Sequence, residues 1–289
     1  MTNNILGTIQ ENMSSFSKGQ KLIANYILNS YDKAAFMTAS KLGKTVNVSE
    51  STVVRFAAEL GFDGYPSMQK SLQEMIRNKL TSVQRIEVSR DRLGNQDIIS
   101  SVMQSDIEKI RLTLEETDRK RFEEAVDALA AGNRIFVLGI RSAGALADFL
   151  VYYFRFMFDD VVQVNSSAMS EVFEQIAKVR EGDVFIGMSF PRYSKRTIKA
   201  MQYAKDKGAK VIAITDSEAS PLVAVADYAL LAKSDMASFV DSLVAPLSLL
   251  NALLVAVGAK RNDQLETTLS SLEQIWDEYD VYEKPGGDR

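Results

Sequence analysis

TASKLGKTVNVSESTVVRFAAEL, residues Thr38–Leu60, reads as two short helical segments that meet at one tight corner. The first starts after Thr38, whose hydroxyl suits an N-cap. Gly43 falls where the two helices cross at close range, a place that admits only a small residue. Asn47 falls at the corner, where positive φ is often required and Asn tolerates it better than most residues. Val48 fills the corner and Ser49 caps the second helix, with Thr52 in its first turn. Val53, Val54, Phe56, Ala57 and Leu60 supply its buried positions, and Gly61 ends it. The pattern predicts a helix-turn-helix inside a small helical bundle.

In such a unit the second helix enters the major groove with its N-terminal residues toward base edges. Glu50, Ser51, Thr52 and Arg55 are then the candidate readers, because Arg matches a guanine edge best. Ser49 and the helix N-terminus suit a phosphate oxygen, and Lys41 and Lys44 on the preceding helix suit the backbone. A plain three-helix bundle with no DNA role has the same spacing, with Arg55 as a surface or ion-pair residue.

Charge supports the first reading. Residues 1–80 carry nine Lys/Arg against six acids, whereas the whole 289-residue chain has a net charge of −4. A basic head on an acidic body is a prior for nucleic acid contact by the head. The chain has no Cys and no His, which removes disulfides, thiol chemistry, imidazole catalysis and Cys/His metal sites. Metal or cofactor binding is not expected. Met1–Gln10 has no basic start or long apolar run, and no stretch reaches the ~18 apolar residues of a membrane span. A cytoplasmic protein with no membrane partner is expected.

Outward from the corner, Ser17 and Gln20 form a capping-box signature ahead of Leu22, Ile23, Tyr26 and Ile27 on one helix face. Residues 97–131 read as helix, with Gly132 as the stop, and Leu80–Gln96 has no convincing helical face. The rhythm then changes. Short apolar runs at Arg134–Leu138, Val161–Val164, Asp183–Met188, Lys210–Thr215 and Tyr228–Leu231 alternate with helical stretches. The stretches are Gly144–Phe156, Met169–Val179, Lys195–Lys207 and Pro221–Ala226. This alternation predicts an α/β unit, a parallel sheet flanked by helices. Val244–Val257 reads as a buried helix and Asp263–Tyr282 as an amphipathic tail helix. The expected domains are 1–80, a linker and connecting helix over 81–120, and 121–282.

Ligands of open parallel sheets sit at the C-terminal strand ends. Two junctions there carry suitable groups. After the first strand come Gly139, Arg141 and Ser142; after the third come Ser189, Arg192, Tyr193 and Ser194. Hydroxyls and guanidinium groups ahead of a helix N-terminus make an anion cradle. Ordinary strand–loop–helix joints with Ser caps and solvated Arg side chains look the same in sequence.

VSESTVVRFAAELGFDGYPSMQKSL strongly resembles the DNA-binding head of RpiR/MurR-type bacterial transcription regulators, in Val48, Ser49, Thr52–Phe56, Leu60–Phe62, Gly64 and Tyr65. Asn47 stands where Gly is usual there, and Gly43 where Ala is usual. Both strand-end junctions, and the chain over about Phe122–Ala259, resemble the sugar isomerase (SIS) domain of the same family. That resemblance implies an all-α helix-turn-helix head plus an α/β SIS body. It implies that the Ser189–Ser194 loop holds the phosphate of a phosphosugar and that the Gly139 loop lines the same pocket. Arg141 replaces the second Gly of the usual first loop, Ala143 its hydroxyl, and Gly187 the first Ser of the second loop. An anionic ligand is thus expected, with its sugar part open.

The implied partners are double-stranded operator DNA, a phosphosugar effector and further copies of the chain, as a homodimer or homotetramer. Two rivals stand beside this regulator. SIS domains also occur in aldose–ketose isomerases, which need a base. Here His is absent, no Glu occurs from Ala219 to Leu265, and Glu171, Asp227, Asp235 and Asp241 are the carboxylates to weigh. The other rival is a ligand-independent DNA-binding protein whose body only dimerises.

Overall fold

The computed structural model describes residues 5–76, 81, 83–86, 97–166, 168–236 and 239–283. Most of Leu80–Gln96, the stretch expected to lack a helical face, lies outside them. The chain divides into two units. One comprises Met1–Ser105 and Asp235–Ser242; the other comprises Asp106–Ser234 and Leu243–Arg289.

The first unit is helical: α1 (Ile5–Glu11), α2 (Lys18–Asn29), α3 (Tyr31–Ala34), α4 (Ala39–Thr45), α5 (Glu50–Glu59) and α6 (Tyr65–Ile76). Its helix starts follow from side chains that satisfy otherwise unpaired N–H groups. Ser17 accepts from the Gln20 N–H, and Gln20 Oε1 accepts from the Ser17 N–H at 2.8 Å, a complete capping box. Thr38 caps α4 through the Lys41 N–H at 3.1 Å, and Ser49 caps α5 through the Thr52 N–H at 3.3 Å. Ile5, Ile9, Ile23, Ile27, Leu42, Val53, Phe56, Met68 and Leu72 form one buried cluster, with Phe16 edge-on to Phe56 at 5.1 Å. Leu22 and Val54, expected inside, are exposed by 45% and 41%. Each lies one residue, roughly 100° of helix turn, from the buried rows Ile23/Ile27 and Val53/Phe56/Ala57.

The boundary between the units falls within α7 (Ile98–Glu116). The helix expected over 97–131 is in fact two. Asp118 stops α7 and caps α8 (Arg119–Ala130) by accepting from the Arg121 N–H at 3.1 Å. A carboxylate at an N-cap outweighs continuation of the same hydrophobic period. Ile98, Ile107 and Leu114, on the expected apolar face of α7, are exposed, while Lys109 and Thr113 are buried.

The second unit continues with β1 (Ile135–Gly139), α9 (Ser142–Phe154), β2 (Val161–Val164), α10 (Met169–Ile176), β3 (Val184–Met188), α11 (Lys195–Asp206), β4 (Lys210–Thr215), β5 (Tyr228–Leu231), α12 (Val244–Lys260) and α13 (Asn262–Glu278). Among the described residues the strands form one parallel sheet in the order β2-β1-β3-β4-β5. Side chains alternate between its faces. Ile135, Val137, Val184, Ile186, Ile212 and Ile214 pack toward α8, α9 and α12, whereas Phe136, Leu138, Phe185, Val211 and Ala213 pack toward α10 and α11. Both faces are therefore covered, as a parallel sheet requires.

Pro221–Ala226, expected as a helix, forms successive turns, with Val223 N–H donating to Ser220 and Val225 N–H to Leu222. The bonds close three-residue turns rather than a regular helix, and Leu222 is buried. α12 is buried along most of its length, as its composition predicts, but Val244 and Val255 reach the surface. α13 has no buried residue at all. Among the described residues no single helix is long and apolar enough to cross a membrane.

Candidate DNA-binding and effector sites

The corner between α4 and α5 is closed by backbone. The Val48 N–H donates to the Gly43 carbonyl at 2.8 Å, and Asn47 has φ 57°. A Cβ at Gly43 would stand 2.8 Å from the Val48 carbonyl oxygen. Gly43 and Asn47 thus do what the sequence pattern requires of them.

This corner leaves the start of α5 open. Ser49, Glu50, Ser51 and Arg55 are exposed, and so are Lys41 and Lys44 on α4. Arg55 curls over its own helix, Nε donating to the Ser51 carbonyl at 3.4 Å. Ser49 Oγ lies 2.9 Å from Ser51 Oγ and 2.8 Å from Thr52 Oγ1. Thr52 is half-buried, its methyl toward α2, where a Cβ at Gly19 would stand 3.5 Å away. Gly19 of α2 therefore lies against the start of α5, while Gln20 of the capping box donates to Glu59 at the other end of that helix. In the sequence, the small residue Gly19 is the signal that α2 approaches so closely.

Behind the corner, α6 secures the segment entering α4. Tyr65 OH and Gln69 Nε2 donate to the Met37 carbonyl at 2.7 and 2.8 Å, and Gln73 Nε2 to the Ala35 carbonyl at 2.9 Å. Burial pushes the Tyr65 phenol up to about 12.

In the second unit, chain direction across the sheet reverses between β1 and β3: β2 lies on one side, β4 and β5 on the other. Loops leaving the carboxyl ends of such a strand pair diverge and open a crevice, the usual ligand position in this architecture. Gly139 and Met188 are register partners, so the two candidate loops begin side by side.

The first loop needs Gly139, because a Cβ there would stand 2.2 Å from the Ala143 carbonyl oxygen. Arg141 then takes φ 63° as N-cap of α9, without any side-chain cap, and both Arg141 and Ser142 are exposed. In β3, Gly187 makes room for α11, since a Cβ would stand 2.3 Å from Met201 Sδ. A serine there would require the Met201 side chain to move.

The second loop is ordered from within. The Ser189 side chain is buried, and its Oγ accepts from the Ser194 N–H at 2.9 Å. Ser194 caps α11 through the Thr197 N–H at 3.2 Å. Between them Arg192 is exposed with φ 70°, and Tyr193 OH donates to Asp216 at 2.8 Å. Thr215 Oγ1 donates to the Ser189 carbonyl at 2.8 Å and lies 2.7 Å from Ser220 Oγ. Thr215 and Asp216 bond this candidate loop, and Ser220 bonds Thr215; the sequence reading does not single them out, although they follow β4 by the same strand-end rule.

The other carboxylates go elsewhere. Glu171 is exposed in the first turn of α10 and accepts from Ser166 Oγ. Asp227, at the opposite end of the sheet, accepts from the Val211 N–H at 2.8 Å and pairs with Lys205. Asp241 pairs with Arg85 at 2.7 Å, and the Asp235 carbonyl accepts from the Ser242 N–H.

Residues 3–79 match the model of the helix-turn-helix domain of the rpiR family, and residues 128–256 match the SIS domain. An uncharacterised HTH-type transcriptional regulator of Haemophilus influenzae is 32% identical over 234 residues, 78% of this chain and 79% of that protein. The chain belongs to the RpiR family of helix-turn-helix transcriptional regulators. HexR of Escherichia coli, another such regulator, is 27% identical over 94% of this chain and 95% of its own length. The sugar isomerase domain of an RpiR transcription factor from Sphaerobacter thermophilus superposes with TM-score 0.55 at 27% identity, over 60% of this chain and 96% of that one. NanR of Vibrio vulnificus, solved with ManNAc-6P, shares the fold with TM-score 0.59 at 20% identity, over 96% of this chain and 99% of that one.

Proposed function

We propose that this regulator controls genes of carbohydrate metabolism in the cytoplasm, and that an anionic phosphosugar bound by its SIS unit sets its affinity for operator DNA. The observation that carries the reading is that two exposed arginines, Arg141 and Arg192, each at positive φ, lie on loops that leave adjacent strands at the switch point. Gly139, Ser142, Ser189, Tyr193 and Ser194 complete the cradle. Guanidinium groups suit phosphate geometry, and hydroxyls suit the sugar. The ligand that NanR carries in its solved complex, ManNAc-6P, belongs to the same chemical class. Residues 121–282 hold the effector, residues 1–80 hold the DNA, and residues 81–120 connect them.

On the DNA, Glu50, Ser51, Thr52 and Arg55 face bases, and Lys44 and Ser49 face phosphates. One short helix reads too few bases alone, so the working form is a homodimer or homotetramer whose heads match half-site spacing. α13 supports this, because Leu265 alone of its apolar row packs against the core cluster of its own unit and no residue of the helix is fully buried, so a second copy would cover Leu269, Leu272 and Trp276.

The protein acts as a regulator and not as an isomerase. Of the carboxylates an isomerase would draw on, Asp227 is tied to strand starts and Asp241 to Arg85. Effector and DNA bias one equilibrium and do so reciprocally. A thermal-shift screen against phosphosugars, with free sugars as controls, tests the reading. Saturable stabilisation by one phosphorylated compound, followed by a changed operator affinity in its presence, is the expected result. A flat screen over a broad panel overturns the effector assignment.

A further inference from the structure

Arg192 is held in a backbone conformation that costs an L-residue roughly 1–2 kcal/mol, and such strain persists only where the surroundings over-determine it. The chain is fixed on both sides of it. Upstream, Ser189 is tied to β4 through Thr215 and accepts from the Ser194 N–H across the loop. Downstream, the Tyr193 hydroxyl donates to Asp216, a carboxylate 1% exposed at the end of β4. Phe190 and Pro191 are also buried, Phe190 as part of the core cluster. A carboxylate taken out of water next to an anion cradle is unfavourable twice over, by desolvation and by repulsion of the ligand. What the carboxylate offers in return is an acceptor: Asp216 Oδ1 takes the Tyr193 hydroxyl and lies 3.3 Å from Thr215 Oγ1.

We propose that Asp216 is a positioning residue of the effector site. By accepting from Tyr193 it locks the Phe190–Ser194 loop in the strained form that presents the Arg192 guanidinium over the strand ends. The inference rests on the reading of those strand ends as the effector site, and it adds a residue that acts through Tyr193 rather than on the ligand.

The test uses the full-length protein and two readouts. The first needs no ligand: the rate of tryptic cleavage between Arg192 and Tyr193, followed by mass spectrometry. Tyr193→Phe removes one hydrogen bond from a half-buried side chain and keeps the fold. It should raise cleavage about tenfold, the equivalent of one lost hydrogen bond. Asp216→Ala should do the same. Asp216→Asn still offers an oxygen to Tyr193 and should stay within about twofold of the wild type. Unchanged cleavage in Tyr193→Phe overturns the proposal.

The second readout is the thermal shift with glucose 6-phosphate and with inorganic phosphate. The midpoint concentration should rise about tenfold in Tyr193→Phe and Asp216→Ala and be restored in Asp216→Asn. Equal midpoints in wild type and Tyr193→Phe overturn the positioning role. So does loss of the shift in Asp216→Asn with cleavage unchanged, because Asp216 would then touch the ligand itself. Absence of any shift in the wild type counts against the effector reading, and the cleavage arm still decides whether Asp216 holds the loop.

Discussion

Arg85 and Asp241 stand 156 residues apart in the chain and form a nearly buried ion pair, Nη1 to Oδ1 at 2.7 Å. Asp241 comes from the segment between β5 and α12, yet Asp235–Ser242 belongs to the unit that contains the helix-turn-helix. Met236 of the same segment packs against that unit's core. Removing one partner leaves an uncompensated charge out of water, which costs about 3–5 kcal/mol. Arg85→Met is therefore expected to lower stability in urea denaturation by that order. Its larger consequence is functional. The segment is covalently continuous with the sheet that carries the effector loops, so releasing it should weaken the effector's influence on operator affinity. An operator titration with and without effector measures this, and full coupling in Arg85→Met removes the pair from the route.

Tyr65 gives the head a defined alkaline limit. Its phenol lies at about 12 in the fold against 10.0 for the free group, because burial disfavours the phenolate. A pKa raised on folding contributes stability that is complete below pH 10 and lost as pH rises toward 12. The full effect is roughly 3 kcal/mol. Tyr65→Phe loses the bond to Met37, worth about 1 kcal/mol at neutral pH. The variant should also lose part of the wild-type decline between pH 10 and 12, and denaturation series across that range compare the two slopes.

On DNA, Arg55 and Lys44 should separate. Arg55→Ala should cost about 1–3 kcal/mol at the specific site and relax discrimination at one base position, with the melting temperature unchanged. Lys44→Ala should weaken all sequences alike and reduce the slope of log affinity against log salt by about 1. Fluorescence anisotropy on operator and scrambled duplexes at several salt concentrations measures both. Operator affinity unchanged in Arg55→Ala removes it from the readers.

Leu269 and Leu272 probe the assembly. Both lie on α13, which has no buried residue in its own chain. Replacing both with Asp should shift sedimentation toward the monomer and lower operator affinity, since paired half-sites need paired heads. Stability of the monomeric unit should change by no more than about 1 kcal/mol, because both side chains are only partly buried and neither belongs to the core cluster.

Local signals carried most of the fold. All five strands were legible within a residue at either end, because each is a short apolar run between polar joints and the sheet is covered on both faces. The helix-turn-helix was legible because Thr38, Gly43, Asn47 and Ser49 each answer a local demand of cap, crossing or turn. What stayed hidden depends on partners distant in sequence. Nothing in VIAITDSEAS marks Asp216 as the acceptor of Tyr193, and nothing near Asp241 marks Arg85. The break at Asp118 was hidden for the opposite reason, since apolar spacing runs on across it and only the capping geometry interrupts the helix.

Gly139 at the end of β1 and Gly144 in the first turn of α9, on either side of the first candidate loop, should respond with opposite signs. A Cβ at Gly139 would stand 2.2 Å from the Ala143 carbonyl oxygen and 2.8 Å from its carbonyl carbon, so backbone must move. Overpacking of this kind costs about 3 kcal/mol. The melting temperature of Gly139→Ala should fall by roughly 6–12 °C. Any displacement also pushes Arg141 from the strand end, so effector affinity should fall with stability. Gly144 sits inside α9, where an added Cβ comes no nearer than 3.6 Å to the Gly139 carbonyl oxygen. There Ala removes backbone freedom from the unfolded chain without strain and should raise stability by roughly 0.5–1 kcal/mol. A Gly139→Ala protein that melts with the wild type would mean that α9 does not approach β1 this closely. The Arg141 loop would then lose its reason to lie over the strand ends.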